Sequence, residues 1–574
     1  MITAMTKYSF VLLCADKDEF LETLQSIGVV DISRSAKPID DVSSEIVAEI
    51  DETNSLIKSI TLGTDAQLSE MVAERTTLAR RLAEVEPWGD YDREALGRFG
   101  VKFFRVQKKS FSPEWEKQYA LQVAGEKDGQ VYFVIVGDST GFPLKEEAAP
   151  QKTAGELRAE IAKLDKDVEA YRAGLESRRS ELPSLEKKVR EQYAQLNLYL
   201  ASVTGKAAAE NSLIVYEGFA PAEDKEKLCT ELDKMSIYYI AEPAKAEDRP
   251  PIKLKNNWFV RQFEPLTKMY GMPVYDEFDP TVFLSIFFLL FFSMCMGDMG
   301  YGILLVIIGL ALRGKEGGLA KMWNLVTTLG VGTIVVGFVM GGFFGISLYD
   351  QTWVPSWMKK LMIVGDMQVG GSTYSKQMVL SLVIGILHIC LAMLLKAVWS
   401  IRRNGFKNSL STLGWTLLVV GGVVGLTVGL AGILSEAAMK WTLIGIASVS
   451  ALGIFVFNKW GRNPIVNIGS GLWDTYSMAS GLMGDVLSYI RLYALGLSGG
   501  MLGQTFNQIA EMIKGTDPTW QWIPFVVVLL VGHALNLAMS CLGAFVHPLR
   551  LNFVEFFKNS GYEGMGAEYN PVRK

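Results

Sequence analysis

Apolar residues change their pattern near residue 280, and that change divides the chain. Before it, they recur at strand or helix periods among many charges. After it, near-continuous apolar runs cover 281–312, 323–348, 376–400, 409–434, 439–459, 466–513 and 522–558. Such runs suit membrane crossings, which need ~20 residues for a hydrocarbon core of ~30 Å. The pattern predicts an α+β soluble domain, 1–280, followed by an all-α polytopic membrane domain, 281–574.

In the soluble part, 7–35 reads as strand, helix, strand (KYSFVLLC, DKDEFLETLQSIG, VVDISR), with Gly28 suited to the helix end. SLIVYEGFAP, EDKEKLCTELDKM and SIYYIAE repeat the pattern over 211–242, and the two units are expected to share one small sheet. Between them lie helical stretches at 41–86 and 152–204. In the second, Leu157, Ile161, Leu164, Val168, Tyr171, Leu175, Leu182, Leu185, Val189 and Leu196 follow alternating four-and-three spacing, a heptad seam with a local kink expected at Pro183. The first stretch is rougher. Segment 97–140 alternates like strands. The simplest arrangement is a long antiparallel coiled-coil hairpin with a β-containing lobe at each end; the alternative is a seam between two chains.

The first apolar run holds a break, FFSMCMGDMGYGILL. As one helix it sends the basic loops RGKEGGLAK, SIRRNGFKN and KWGRN outside, against the positive-inside rule. As a short hairpin turning at 297–299 it returns all of them to the cytoplasm. The count is then about eight membrane helices, with the soluble domain and the C-terminus cytoplasmic and 349–375 external. Lys359 and Lys360 sit awkwardly with that placement. At 1.5 Å per residue, 466–513 extends roughly 70 Å and 522–558 roughly 55 Å, so both must tilt, bend or protrude.

Polar residues within these last two runs carry the candidate chemistry. His533, Asn536, Ser540, Gly543, His547, Arg550 and Val554 share one helical face. On the preceding run Gly484, Ser488, Arg491, Leu495 and Ser498 share another, with Asp485 beside it. An intramembrane cation costs at least ~2.5–3.5 kcal/mol, so two of them point to a partner or a water-filled path. Blander readings are a pair of Arg491 with Asp485, snorkelling of Arg550 to the interface, and a helix-packing hydrogen bond for His388. Pro548 is expected to bend the last helix. Glycine-rich stretches such as GVGTIVVGFVMGGFFG suit close helix packing.

Composition narrows the class further. The net charge of -5 gives no sign of a nucleic-acid role, and the five cysteines show no metal spacing. The start of the sequence is not expected to act as a secretory signal. No Walker motif, catalytic triad or metal cluster appears, so the chain itself is not expected to hydrolyse ATP or to carry a cofactor.

The pieces FEPLTKMYGMPVYDEFDPT, FFSMCMGDMGYG, IGILHI, SYIRLYALGLS and GAFVHPLRLNFVEFFKNSGYEG together resemble the a (I) subunit family of rotary V/A-type ATPases, most nearly its compact bacterial and archaeal branch. The resemblance runs almost end to end. It implies a cell-membrane, multi-pass stator facing a proteolipid c ring, with two offset half-channels for protons or sodium. Arg491 matches the family's essential arginine and Arg550 its second. The path would be lined by Asp485, Ser488, Ser498, Gln504, Asn507, His533, Asn536, Ser540, His547 and Glu555. Implied partners are peripheral stalk subunits of E/G type, a central-stalk d/C-type subunit, and indirectly the catalytic head. Some members carry a glutamate where this chain has Ser540, which alters the outer lining. A secondary transporter would also use buried charges, but no internal repeat relates two halves of the membrane region. A membrane-anchored scaffold would not need two buried arginines.

Overall fold

The computed structural model describes the chain except residues 35–38, 92–95, 97, 138, 140–141, 209–211, 236, 315–321, 370, 431, 434, 458–463, 515–521 and 574. The basic loops 313–321 and 459–463, which entered the topology argument, lie largely outside the described residues. The chain divides into two compact units, Met1–Phe10 with Glu217–Pro571, and Val11–Tyr216 with Val572–Lys574.

The second unit begins within β1 (Met5–Leu13), followed by α1 (Lys17–Ile27) and β2 (Asp31–Ile32). Gly28, at φ 65°, closes α1 as expected. The helical stretch 41–86 is two helices, α2 (Asp41–Leu62) and α3 (Ala66–Val85). Local chemistry divides them. Gly63 takes φ 64°, and the Asp65 carboxylate then accepts Leu68 N–H at 2.8 Å to start α3.

The chain continues through β3 (Val101–Gln107), β4 (Leu121–Lys127) and β5 (Gln130–Val136), antiparallel in the order β3–β5–β4. Alternate residues Phe104, Val106, Val131, Phe133 and Ile135 form the core of this lobe. The stretch 152–204 is likewise two helices, α4 (Ala154–Ser177) and α5 (Leu182–Thr204), with a 3₁₀ turn Arg178–Glu181 between them. The interruption thus precedes Pro183, which sits in the first turn of α5, where no helical N–H bond is lost. α3 packs on α4 and α2 on α5, burying Ile60, Leu68, Val168 and Leu175 in one cluster and Ile50, Leu196 and Leu200 in another.

After β6 (Lys206–Ala208), β7 (Leu213–Pro221) returns the chain to the first unit, where α6 (Lys225–Lys234) and β8 (Tyr238–Pro243) follow. One five-stranded sheet has the order β2–β7–β1–β8 with β6 on β7, so both α/β segments do contribute to a single sheet.

In the membrane part, α7 (Thr281–Met296) and α8 (Met299–Ala311) are separated at Gly297, φ 56°, and at Asp298, which caps α8. Both pack on α9 (Trp323–Met340). Leu289 and Ser293 meet Gly332, and Gly297 meets Gly342. On α8, Met299 meets Gly337, Gly302 meets Gly330, and Gly309 meets Thr327. α7 therefore runs with α9 and α8 against it, the reversal expected of a hairpin. Loop strands β9 (Gly342–Phe343), β10 (Ile346–Ser347), β11 (Asp366–Val369) and β12 (Ser372–Ser375) precede α10 (Lys376–Asn408).

Then come α11 (Leu410–Gly429), α12 (Glu436–Val456), α13 (Pro464–Ser488), α14 (Ile490–Lys514) and α15 (Trp522–Arg550). Among the described residues, five helices are long and apolar enough to cross a membrane: α9, α10, α11, α12, and α15 with its extension to Ser560. α7 and α8 are shorter.

A buried core of Leu284, Phe288, Phe291, Ile389, Tyr489, Leu492, Ala544 and Phe556 ties α7, α10, α14 and α15 together. At the head of α7, the motif FEPLTKMYGMPVYDEFDPT proves structural. Glu277 accepts the Val274 N–H at 2.8 Å and the Glu563 N–H at 2.6 Å, and burial raises its carboxyl above the usual range. Arg403 pairs with Glu563 at 2.6 Å.

Candidate functional site

The stretch 466–513 is not one helix. It breaks at Tyr489, a fully buried ring whose hydroxyl lies 2.9 Å from His388 Nδ1. The break separates Gly484 and Ser488 on α13 from Arg491 on α14, so the polar stripe read across them is interrupted. Arg491 is half-buried. Its Nη1 is shielded from solvent and, among the described residues, has no hydrogen-bond partner. Holding a guanidinium donor dry and unpaired is costly. Asp485 does not relieve it: that carboxylate takes Asn559 Nδ2 at 2.8 Å and Lys558 Nζ at 3.7 Å. His388 packs between Phe287 and Phe556, with ring centroids 4.1 and 4.5 Å away, and its bond to Tyr489 makes it a helix-packing residue.

One polar cluster lies on the N-terminal part of α15. His533 Nδ1 is 2.8 Å from Tyr301 Oη, and its Nε2 is 3.0 Å from Asn507 Oδ1. Asn536 is buried; its Nδ2 donates to Tyr301 Oη at 2.8 Å and to Gly499 O at 2.9 Å, and its Oδ1 accepts from Ser540 Oγ at 3.2 Å. Beside this cluster is a cavity of about 260 Å³ whose wall includes Asp298, Ser347, Gln377, Tyr493 and Gln504. The structure thus assembles Asn507, His533, Asn536 and Ser540 as one network and leaves Gln504 exposed at the cavity. Ser498 is exposed elsewhere on α14.

A second cluster lies beyond the other end of α15. Glu555 is buried, with one carboxylate oxygen unpartnered among the described residues. Ser488 faces it. Asn559 bonds to Asp485 and to the Glu555 carbonyl. Asp485, Ser488 and Glu555 are therefore neighbours, and Asn559 and Lys558 join them. Between the clusters His547 lies within electrostatic reach of both Arg491 and Arg550. Arg550 itself is exposed. The helix passes through Pro548 and departs from α geometry only afterwards, in a π-helical turn Leu551–Phe556, where Asn552 Nδ2 donates to Pro548 O at 2.8 Å. A π turn widens the helix locally and often marks functional positions. From Ser540 to Glu555 the rise is about 22 Å at 1.5 Å per residue, so the clusters are well separated along α15.

Sequence reasoning missed Tyr301, Asp298, Asn559 and Lys558. Tyr301 and Asp298 stand in GDMGYG, where the glycines drew attention to the chain reversal and away from the polar side chains. Asn559 and Lys558 follow the last apolar run and were not placed on its face.

The V-type ATPase 116kDa subunit family profile matches residues 143–346. The A-type ATP synthase subunit I of Methanocaldococcus jannaschii is 31% identical over 384 residues, 62% of this chain and 54% of that protein. The corresponding Pyrococcus horikoshii subunit is 30% identical over 62% of this chain and 52% of its own length. The chain thus spans about half the length of these archaeal relatives. The V-type ATP synthase subunit I 1 of Treponema pallidum is 26% identical over the whole of both chains.

Proposed function

We propose that this chain, whose residues 143–346 match the V-type ATPase 116kDa subunit family, is the stationary membrane subunit of a rotary ATPase or ATP synthase, passing protons or sodium along a ring of proteolipid subunits. The observation that carries the reading is Arg491, a half-buried guanidinium whose shielded Nη1 has no partner among the described residues, between two separated polar clusters. A ring carboxylate arriving about 4 Å from it gains about 4 kcal/mol at an effective dielectric of about 20, near three pK units. That attraction favours the ionised carboxylate, so the ring releases its ion there. The same fixed charge blocks direct passage between the clusters. The Tyr301–His533–Asn536 side then serves as the outer half-channel, and the Asp485–Glu555 side as the inner one.

The division into a cytoplasmic domain, 1–280, and a membrane domain, 281–574, belongs to this proposal. So do about eight crossings with both termini cytoplasmic. The pairing of α2 with α5 and α3 with α4 supports an antiparallel coiled-coil hairpin, whose β3–β5–β4 lobe would dock peripheral stalk subunits. The central-stalk subunit and catalytic head are the further partners. Ala494 and Ser498 are exposed on the Arg491 face of α14, so Ser498→Cys tests the reading. It should cross-link to a cysteine beside the carboxylate of a co-purifying proteolipid. Absence of any proteolipid from the purified complex contradicts the assignment.

A further inference from the structure

Asp298 is 2% exposed, and its carboxylate accepts three backbone N–H groups: Tyr301 at 3.2 Å, Phe344 at 2.9 Å and Gly345 at 2.8 Å. Two of the donors are in the left-handed region, Phe344 at φ 47° and Gly345 at φ 73°. For a bulky residue such as Phe that conformation is unusual and strained. Asp298 thus clamps a strained loop onto the α7–α8 turn. The clamp seats Tyr301, 1% exposed, against the Phe344 ring with centroids 5.6 Å apart.

Hydrogen-bond bookkeeping then assigns the protons around His533. Asn507 Nδ2 donates to Phe344 O at 2.7 Å, which turns Asn507 Oδ1 toward His533 Nε2 at 3.0 Å. An amide oxygen only accepts, so Nε2 carries a hydrogen. In the neutral ring Nδ1 is then the acceptor, and Tyr301 must donate to it across 2.8 Å. Of the two acceptor lone pairs of Tyr301 Oη, one takes the Asn536 amide, itself oriented by Gly499 O and Ser540 Oγ, and the second is left for an incoming proton.

We infer that Tyr301 is a proton-relay residue of the outer half-channel, holding His533 in its Nε2–H form and passing protons to Nδ1. This rests on the half-channel reading above. In the step, the Tyr301 O–H bond breaks as its hydrogen passes to Nδ1, an Nδ1–H bond forms, and a hydronium ion supplies the replacement proton to Oη, leaving water and an imidazolium. Release runs the same bonds in reverse. Among the described residues, the groups facing His533 are few. From α8 come the Tyr301 hydroxyl and the charge of Asp298, from α14 the neutral Asn507 amide, and from the β9–β10 loop the Phe344 ring.

The test uses the intact complex in sealed vesicles, reading ATP-driven proton uptake and its pH profile. Tyr301→Phe keeps the ring and removes the donor. Uptake should fall about 100-fold or more, the lower end of what a positioned proton-transfer group contributes, and the pH optimum should move. An unchanged rate and profile overturns the inference. If Tyr301→Phe does not assemble, meta-fluorotyrosine incorporated at position 301 keeps size and bonding but makes the phenol more acidic; an unmoved pH profile then overturns it. Arg491→Ala separates the two claims. If that variant still transports, the half-channel reading falls. If it is inactive while Tyr301→Phe behaves as wild type, only the role of Tyr301 falls.

Discussion

Replacing Asp298 by Asn exchanges one carboxylate oxygen for an NH₂ group and leaves the volume almost unchanged. Oδ1 serves Tyr301 N and Phe344 N while Oδ2 serves Gly345 N at 2.8 Å. If the amide oxygen keeps the first two, its NH₂ faces the Gly345 N–H, donor against donor. One charge-assisted bond is lost, about 1.5–3 kcal/mol. The loss should be local, because only the Phe344–Gly345 turn depends on that oxygen and its left-handed backbone favours release. A local opening free energy lower by that amount accelerates amide exchange about 10- to 100-fold. Hydrogen exchange read by mass spectrometry on a peptide covering 342–347 is the assay, with a peptide from the β3–β5–β4 lobe as control. Unchanged exchange at 342–347 refutes the clamp, and equal acceleration in both peptides refutes its locality.

Three further outcomes follow from the same geometry. Glu277→Gln turns one acceptor of a backbone N–H into a donor, so the purified complex should lose about 1–3 kcal/mol of stability by thermal melt. Burial raises the Glu277 carboxyl in the folded state, so the wild-type group favours folding more as pH falls through its raised value, and this slope should vanish in the Gln variant. Asp65 behaves oppositely. Its bonds from Leu68 N–H and Tyr171 Oη hold its pKa down, so its contribution is present above the unfolded carboxylate value and disappears as pH falls through the lower folded one; far-UV circular dichroism of Asp65→Asn against wild type reads this. Cysteines at Ser540 and at exposed Val554 should react with small hydrophilic reagents from opposite sides of the membrane, and labelling of both from one side removes the split-path reading.

Periodicity carried most of the architecture. The strand–helix–strand segments, the three-stranded lobe and the break at GDMGYG were legible because each sets its own local chemistry: Gly28 closes a helix, alternating Phe104 and Val106 build a face, and Asp298 caps α8. The helical stretches were read too long. Gly63 with Asp65, and the turn before Pro183, end helices inside runs whose hydrophobic spacing continues, because spacing records burial while caps decide continuity. The break at Tyr489 was invisible for a related reason: a buried aromatic suits a helix as well as a turn. At the site, the shared face of His533, Asn536 and Ser540 was correctly grouped by period. Their partner Tyr301 lies 232 residues from His533, a pairing that no local pattern records. Arg550 is exposed, whereas Arg491 carries a shielded donor without a partner among the described residues.

The central claim is that the shielded charge of Arg491 drives ion release from a ring carboxylate. Its most direct test is ATP-driven ion uptake and ATP hydrolysis measured together in vesicles bearing the assembled Arg491→Ala complex. The account predicts an intact, membrane-inserted complex with no coupled uptake, whether proton or sodium is followed. Near-normal uptake per ATP hydrolysed in that variant contradicts it.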